Sequence, residues 1–110
     1  MSGLGDMGNL LKQAQEMQRQ VDRVRQELRE ATVNGSSSDG AVQIELTQDR
    51  HEVRAVTLSA APLAARGGDA LDVLSERIQE AVQDALRRAH EAERTAIEKV
   101  TGGLQLPGLF

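Results

Sequence analysis

Three basic residues near the N-terminus have the spacing that lets side chains contact one polyanion together. Lys12, Arg19 and Arg23 are seven and four residues apart. In a helix that turns about 100° per residue, they lie within about 40° of one another. Such a row can place cationic groups against backbone phosphates. The alternative is an ordinary solvated face, because Glu16 and Glu27 stand at ion-pair spacing from Arg19 and Arg23.

A second group of basic residues lies toward the C-terminus. Arg87 and Arg94 are seven residues apart on the outer face of a predicted helix, and Arg88 and Lys99 lie toward one flank. Carboxylates at i,i+4 spacing, such as Asp84 before Arg88, again offer a structural role as ion pairs. Both interpretations therefore stay open for both groups.

The chain lacks the residue patterns that are typical of enzymes and metal sites. It has no cysteine, and its two histidines, His51 and His90, have no partner at metal-ligand or catalytic spacing. The serines at 36–38 indicate a turn and not a nucleophile elbow. No glycine-rich turn has the phosphate-loop pattern. We therefore expect no catalytic residue, metal, cofactor or small-molecule substrate.

Composition favours one small domain that gains burial by association. Of the 110 residues 39% are apolar, and Phe110 is the only aromatic one. A core without rings buries less area per residue, which makes burial between subunits attractive. The net charge of −4 argues against a generally basic nucleic-acid surface, so such a surface has to be a local stripe. No signal peptide or membrane span is recognisable, and we expect a cytoplasmic protein.

The first basic group stands on a long predicted helix at about residues 7–29. Asp6 or Asn9 is its predicted N-cap. Its apolar residues recur at alternating spacings of three and four, and this apolar seam consists of Met7, Leu10, Ala14, Met17, Val21, Val24, Leu28 and Ala31. Such a narrow seam needs a second helix or a second subunit to cover it.

Short antiparallel strands are predicted next, at about 31–36, 41–48 and 52–59. Apolar and polar residues alternate there between turn-forming segments. Val56 and Leu58 are the predicted buried pair of the last strand. A hairpin this small is marginal by itself and must pack on the helices.

A second long helix is predicted at about 70–100, capped by Asp69 and ended by Gly102 and Gly103. The two helices are about 35 and 45 Å long, and beside the shorter sheet they do not fit inside a compact domain of this size, which is roughly 35 Å across. We therefore predict an α+β fold of order α-β-β-β-α that forms a two-fold dimer, with joined sheets and helices paired as protruding antiparallel hairpins. One domain spans 1–110, with a loose N-terminus at 1–6 and a docked apolar tail at 102–110.

Several segments resemble the YbaB/EbfC family of nucleoid-associated proteins. They are residues 8–18 (GNLLKQAQEMQ), Val33-Asn34-Gly35 with Gly40 after it, and the ending 103–110 (GLQLPGLF). The resemblance implies a tweezer-shaped homodimer that binds double-stranded DNA through its protruding helices. By position it assigns DNA contacts to Lys12, Arg19, Arg23, Arg87, Arg88, Arg94 and Lys99.

We therefore predict a nucleoid-associated protein that binds double-stranded DNA through backbone phosphates, with weak sequence preference, and bends or bridges it. The alternative is a non-enzymatic helical adaptor that grips another protein. The acidic net charge and the glutamates interleaved with the basic residues favour that alternative.

Overall fold

The computed structural model describes residues 2–64 and 70–102 of the chain. Its elements follow in the order α1 (Ser2–Glu30), β1 (Thr32–Ser36), β2 (Val42–Thr47), β3 (Val53–Leu58), α2 (Ala60–Ala64) and α3 (Ala70–Thr101). The predicted α+β class and the predicted order of long helices and strands are confirmed. The short α2 was not predicted. The predicted cap at Asp69 lies outside the described residues, as does the predicted docked tail at 102–110 apart from Gly102.

Both long helices differ from their predicted bounds, α1 by more than α3. α1 begins at Ser2, so Asp6 and Asn9 lie inside the helix and neither is its N-cap. The glycines near its start are weak helix formers, but a long helix propagates into adjoining turns once it is nucleated. α3 ends at Thr101, and Gly102 follows with a φ of +64°, the left-handed conformation in which glycine closes a helix.

The three strands form one antiparallel sheet in the order β1-β2-β3. The alternation predicted for β2 is confirmed, since Val42, Ile44 and Leu46 face α3. On the α3 side of this core stand three buried alanines: Ala81, Ala85 and Ala89. Their small side chains allow the helix backbone to approach the sheet closely.

The closest approach occurs at Gly35 in β1. A Cβ atom at this position would lie only 2.3 Å from the backbone nitrogen of Ala85 and 2.5 Å from the carbonyl oxygen of Ala81. Backbone atoms cannot move aside as the end of a flexible side chain can. The packing of β1 on α3 therefore requires glycine at position 35.

β3 lies at the edge of the sheet and is not covered by α3. The helix crosses β1 and β2, and every residue of β3 is exposed. Val56 is 56% and Leu58 52% exposed, so the prediction that these two residues are buried is wrong for the single chain. The reason is that a single helix is too narrow to cover three strands.

α1 packs on α3 only near the C-terminal ends of both helices. Val24 and Leu28 form a buried cluster with Ile97, against which Ala96 and Val100 also pack. The predicted pairing of the two helices therefore covers only part of the apolar seam, because the first half of α3 packs on the sheet. The rest of α1 overhangs as expected and gives the molecule principal extents of 78 × 21 × 16 Å.

The turn between β2 and β3 fastens the base of α1. The backbone N–H of Asp49 donates to the carbonyl oxygen of Leu28 over 3.1 Å, and that of Gln48 donates to Ala31 over 2.9 Å. From the same turn, the guanidinium of Arg50 donates to the carboxylate of Glu93 in α3 over 3.1 Å. The two backbone bonds satisfy carbonyl groups at the end of α1, where partners within the helix run out.

Candidate nucleic-acid interface

The predicted row of cations on α1 is present and faces solvent. Lys12, Arg19 and Arg23 are all exposed on one uninterrupted helix. The helical rise places Lys12 and Arg23 about 16 Å apart along the axis. We call these three residues the basic row. They lie on the side of α1 away from the apolar seam.

Few carboxylates compete for the basic row. Arg19 pairs with Glu16 over 3.6 Å, as predicted, and both side chains are well exposed. Such an exposed pair contributes little free energy and opens readily for a stronger anion. The predicted pair of Arg23 with Glu27 is not formed, and within the described residues neither Lys12 nor Arg23 has an ion-pair partner.

The arginines of α3 are engaged by neighbouring carboxylates. Arg87 and Arg88 both pair with Asp84, the second over 3.1 Å. Asp84 also accepts the backbone N–H of Ser36, and this bond is the main cause of a lowered pKa at Asp84, against the opposing effect of burial; the two arginines lower the pKa further. An ionised Asp84 therefore stays in place between both guanidinium groups and offsets one of their two positive charges.

Arg94 is held in a similar way. It pairs with Glu91 and lies 4.0 Å from Glu98. Its pKa is raised, first by the hydrogen bond to Glu91. Glu91 also stands four residues after Arg87, but it pairs with Arg94 instead.

The structure divides the four predicted α3 cations between two sides of the helix. Arg88 and Lys99 line one open groove of about 500 Å³, about 100° or more around the helix from Arg87 and Arg94. Its remaining lining residues are Gln48, Glu91, Ala92, Thr95 and Ala96. Lys99 has no ion-pair partner within the described residues.

One cation that sequence reasoning missed is structural. The side chain of Arg77 is only 8% exposed and lies 2.9 Å from the carboxylates of both Asp39 and Glu80. It fastens the β1–β2 turn to α3. No short-range pattern could identify it, because Asp39 and Arg77 are 38 residues apart.

Each of the two histidines lies beside one charged side chain. His51 Nδ1 lies 3.2 Å from the carboxylate of Asp49, and His90 Nδ1 lies 3.4 Å from Arg50. The described residues contain no group of histidines and carboxylates that is arranged to hold a metal ion. Within the same residues, none of the helices combines the length and apolar character that crossing a bilayer requires.

Comparison with known proteins identifies the family of this chain. A protein of Acetivibrio thermocellus named "Nucleoid-associated protein" is 41% identical over 107 residues, which cover 96% of this chain and 91% of the relative. Residues 3–104 match the YbaB/EbfC DNA-binding family. The match spans both long helices and all seven candidate cations. Since it covers nearly the whole chain and confirms the resemblance of residues 8–18, the protein belongs to the YbaB/EbfC DNA-binding family.

Proposed function

We propose that this protein is a nucleoid-associated protein that binds double-stranded DNA as a homodimer, chiefly through contacts of α1 with backbone phosphates. The observation that carries the proposal is the basic row, which stands exposed on a projecting helix with two of its three cations free of ion pairs among the described residues. Family membership supports DNA as the ligand.

The electrostatic difference between the helices favours α1 as the main contact. A phosphate that binds Arg87 or Arg94 must displace a carboxylate, whereas Lys12 and Arg23 exchange only water. Arg88 and Lys99 in their groove are expected to add a weaker second contact. Because phosphate contacts carry no sequence information, we expect weak sequence preference and steep salt dependence.

The two flanks of α3 differ in what they face, and this difference supports a surface for a second subunit beside β3. Asp84 and Glu80 accept hydrogen bonds from Ser36 and Ser38, each over 3.0 Å, so this flank of α3 faces β1. The opposite flank, about 200° around the helix, carries three apolar residues that are 36–39% exposed: Ile78, Val82 and Leu86. That flank therefore faces the side of β3.

β3 contributes the other half of this surface. Val56 and Leu58 pair across the sheet with Ile44 and Val42, whose side chains face α3, so all four lie on the same face. Among the described residues no strand pairs with the outer edge of β3, and soluble proteins usually cover such an edge. We infer that two copies bury this β3–α3 surface against each other. Each dimer then presents two projecting α1 helices, which suits it to bend or bridge DNA.

A gel-shift titration with duplex DNA at several salt concentrations tests the phosphate contacts. The triple variant Lys12→Gln, Arg19→Gln, Arg23→Gln should bind more weakly, and its salt slope should fall by about three, or about one for each lost contact. Arg29→Gln is the control. Arg29 lies on the same helix, but it stands at the C-terminal end of α1 and faces Asp49 instead of belonging to the basic row. An unchanged slope in the triple variant refutes the assignment. No binding by the wild type at low salt favours the helical adaptor instead.

Sedimentation of the free protein tests the dimer. Val56→Asp should shift the protein from dimer to monomer at micromolar concentration, because it places a charge in the proposed interface. Thr57→Asp is the control on the opposite face of the same strand and should leave the dimer intact. A wild type that sediments as a monomer contradicts the proposal.

A further inference from the structure

The apolar seam of α1 is covered along only part of its length. Val21 is fully buried, and Val24 and Leu28 are 8% and 3% exposed. Toward the N-terminus the same face opens to solvent, with Met7 67% and Leu10 64% exposed. The apolar pattern does not change at this boundary, so the cover and not the sequence of α1 makes the difference.

The cover ends where α3 ends. Leu28 lies beside the β2–β3 turn and Val24 beside Ile97, so the two helices run antiparallel, and α3 stops at Thr101. Fourteen residues separate Val21 from Met7, which corresponds to about 21 Å of uncovered seam. This uncovered stretch continues the line of α3 beyond its last turn.

The chain itself continues from this point with a segment of suitable length and chemistry. Residues 103–110 span up to about 26 Å when extended, at about 3.3 Å per residue. None of its eight residues has a charged side chain, and half of them are large and apolar: Leu104, Leu106, Leu109 and Phe110. These side chains lose no charge hydration when they pack on an apolar surface.

We propose that residues 103–110 pack along the exposed seam of α1 in the same chain, running from Val21 toward Met7. This packing buries the part of the seam that α3 leaves open. It also keeps two overhanging helices from associating through their apolar faces. The basic row stays outside, so the proposal does not depend on DNA binding, and its tests contain no DNA.

Disulfide cross-linking tests the proposed packing directly, because the chain has no cysteine of its own. In the double variant Met17→Cys, Leu104→Cys we expect rapid oxidation to an intrachain disulfide, seen as a faster-migrating monomer on a non-reducing gel. In the matched control Gln15→Cys, Leu104→Cys, one cysteine lies away from the seam and oxidation should be at least tenfold slower. Equal rates for the two pairs overturn the proposal. Disulfides that join an isotope-labelled chain to an unlabelled one overturn it too, because a second copy then covers the seam.

Hydrogen exchange in the full-length protein gives an independent measurement. The variant Leu106→Asp, Leu109→Asp should speed amide exchange in residues 7–17 by about tenfold or more and leave exchange in β2 unchanged. Gln105→Asp is the control, since it adds a charge at a position that is already polar. Unchanged exchange in residues 7–17 of the double variant contradicts the proposal, and β2 exchange verifies that the fold is intact.

Discussion

The overhanging part of α1 and the sheet with α3 hold their charged side chains in opposite ways. In the sheet and α3, arginines connect elements that are distant in sequence, as Arg77 joins the β1–β2 turn to α3 and Arg50 joins the β2–β3 turn to Glu93. On α1, Lys12 and Arg23 contact no carboxylate within the described residues. Charges that stabilise the fold are thereby separated from charges that are available to a ligand.

The same contrast applies to backbone packing. Gly35 lies where β1 and α3 touch, with backbone atoms where a Cβ would stand, whereas Gly8 on α1 has no such atom within 4 Å. One part of the molecule tolerates no added atom, and the other is open to solvent.

The largest expected effect comes from one substitution made in both parts. Gly35→Ala should destabilise the protein by about 3 kcal/mol, because the added methyl group collides with the α3 backbone. Gly8→Ala should stabilise it by about 0.5–1 kcal/mol, since alanine is the better helix former in an open position. Chemical denaturation at one fixed protein concentration measures both. Two changes of the same sign contradict the contrast.

The next prediction compares the cations of the two helices in DNA binding. Neutralising Lys12 and Arg23 to glutamine should lower the salt slope of DNA affinity by about two. Neutralising Arg87 and Arg94 should lower it by less than about one, because each already faces a carboxylate. Titrations over a salt series supply both slopes. If the salt slope decreases more for the Arg87 and Arg94 variant, the main DNA contact lies on α3 and not on α1.

Acid should destabilise the sheet and α3. The pKa of Asp39 is lowered, first by the backbone N–H of Ala41, then by Ser37 and Arg77 against the effect of burial. A carboxyl group with a lowered folded-state pKa stabilises the fold above its unfolded pKa, and this stabilisation is lost as pH falls through the folded value. The melting temperature should therefore decrease as the pH falls below about 4.

A substitution isolates the contribution of Asp39 to this acid response. Asp39→Asn should lower the melting temperature at pH 7 and make the acid response shallower. The exposed Asp72 provides the control, and Asp72→Asn should leave the response unchanged. If Asp39→Asn retains the full acid response, its source is a different carboxylate, such as Asp84.

The smallest expected effect concerns Glu16, the carboxylate that pairs with the basic row among the described residues. Glu16→Gln should raise affinity for duplex DNA by about twofold, because Arg19 no longer exchanges an exposed ion pair that contributes about 0.2–1 kcal/mol. Stability should stay within about 0.5 kcal/mol of the wild type. Glu30→Gln, at the base of α1, is the control. A decrease in affinity for Glu16→Gln contradicts the role of Glu16 as a competitor for Arg19.

Local pattern was sufficient to predict most of the fold. The strands were placed within one residue of their observed bounds, because the alternation of Val42, Ile44 and Leu46 is a property of neighbouring residues. α3 was placed equally well, since Gly102 ends it by its own conformational freedom. The predicted start of α1 at about residue 7 differs from the observed start at Ser2. Helix propagation into its glycine-rich first turns is cooperative and depends on the residues that follow.

The candidate site was predictable in part. The spacing of Lys12, Arg19 and Arg23 determines that they share one face of any helix that forms there. Whether a cation on a helix is free or paired is a different matter. Arg87 and Arg94 have the same seven-residue spacing as Lys12 and Arg19, yet carboxylates of α3 engage both.

The sequence by itself determined which segments form helices and strands and which residues share a face, because periodicity along the chain defines both. Only the tertiary structure decided whether each face packs against another element or stays exposed to solvent. Val56 and Val42 both read as inward-facing residues of a strand, but α3 covers Val42 and leaves Val56 exposed. The apolar seam of α1 likewise keeps one pattern along its length, but its C-terminal half is buried and its N-terminal half is exposed. The reason is that burial depends on where another element begins and ends in space, which no local pattern contains.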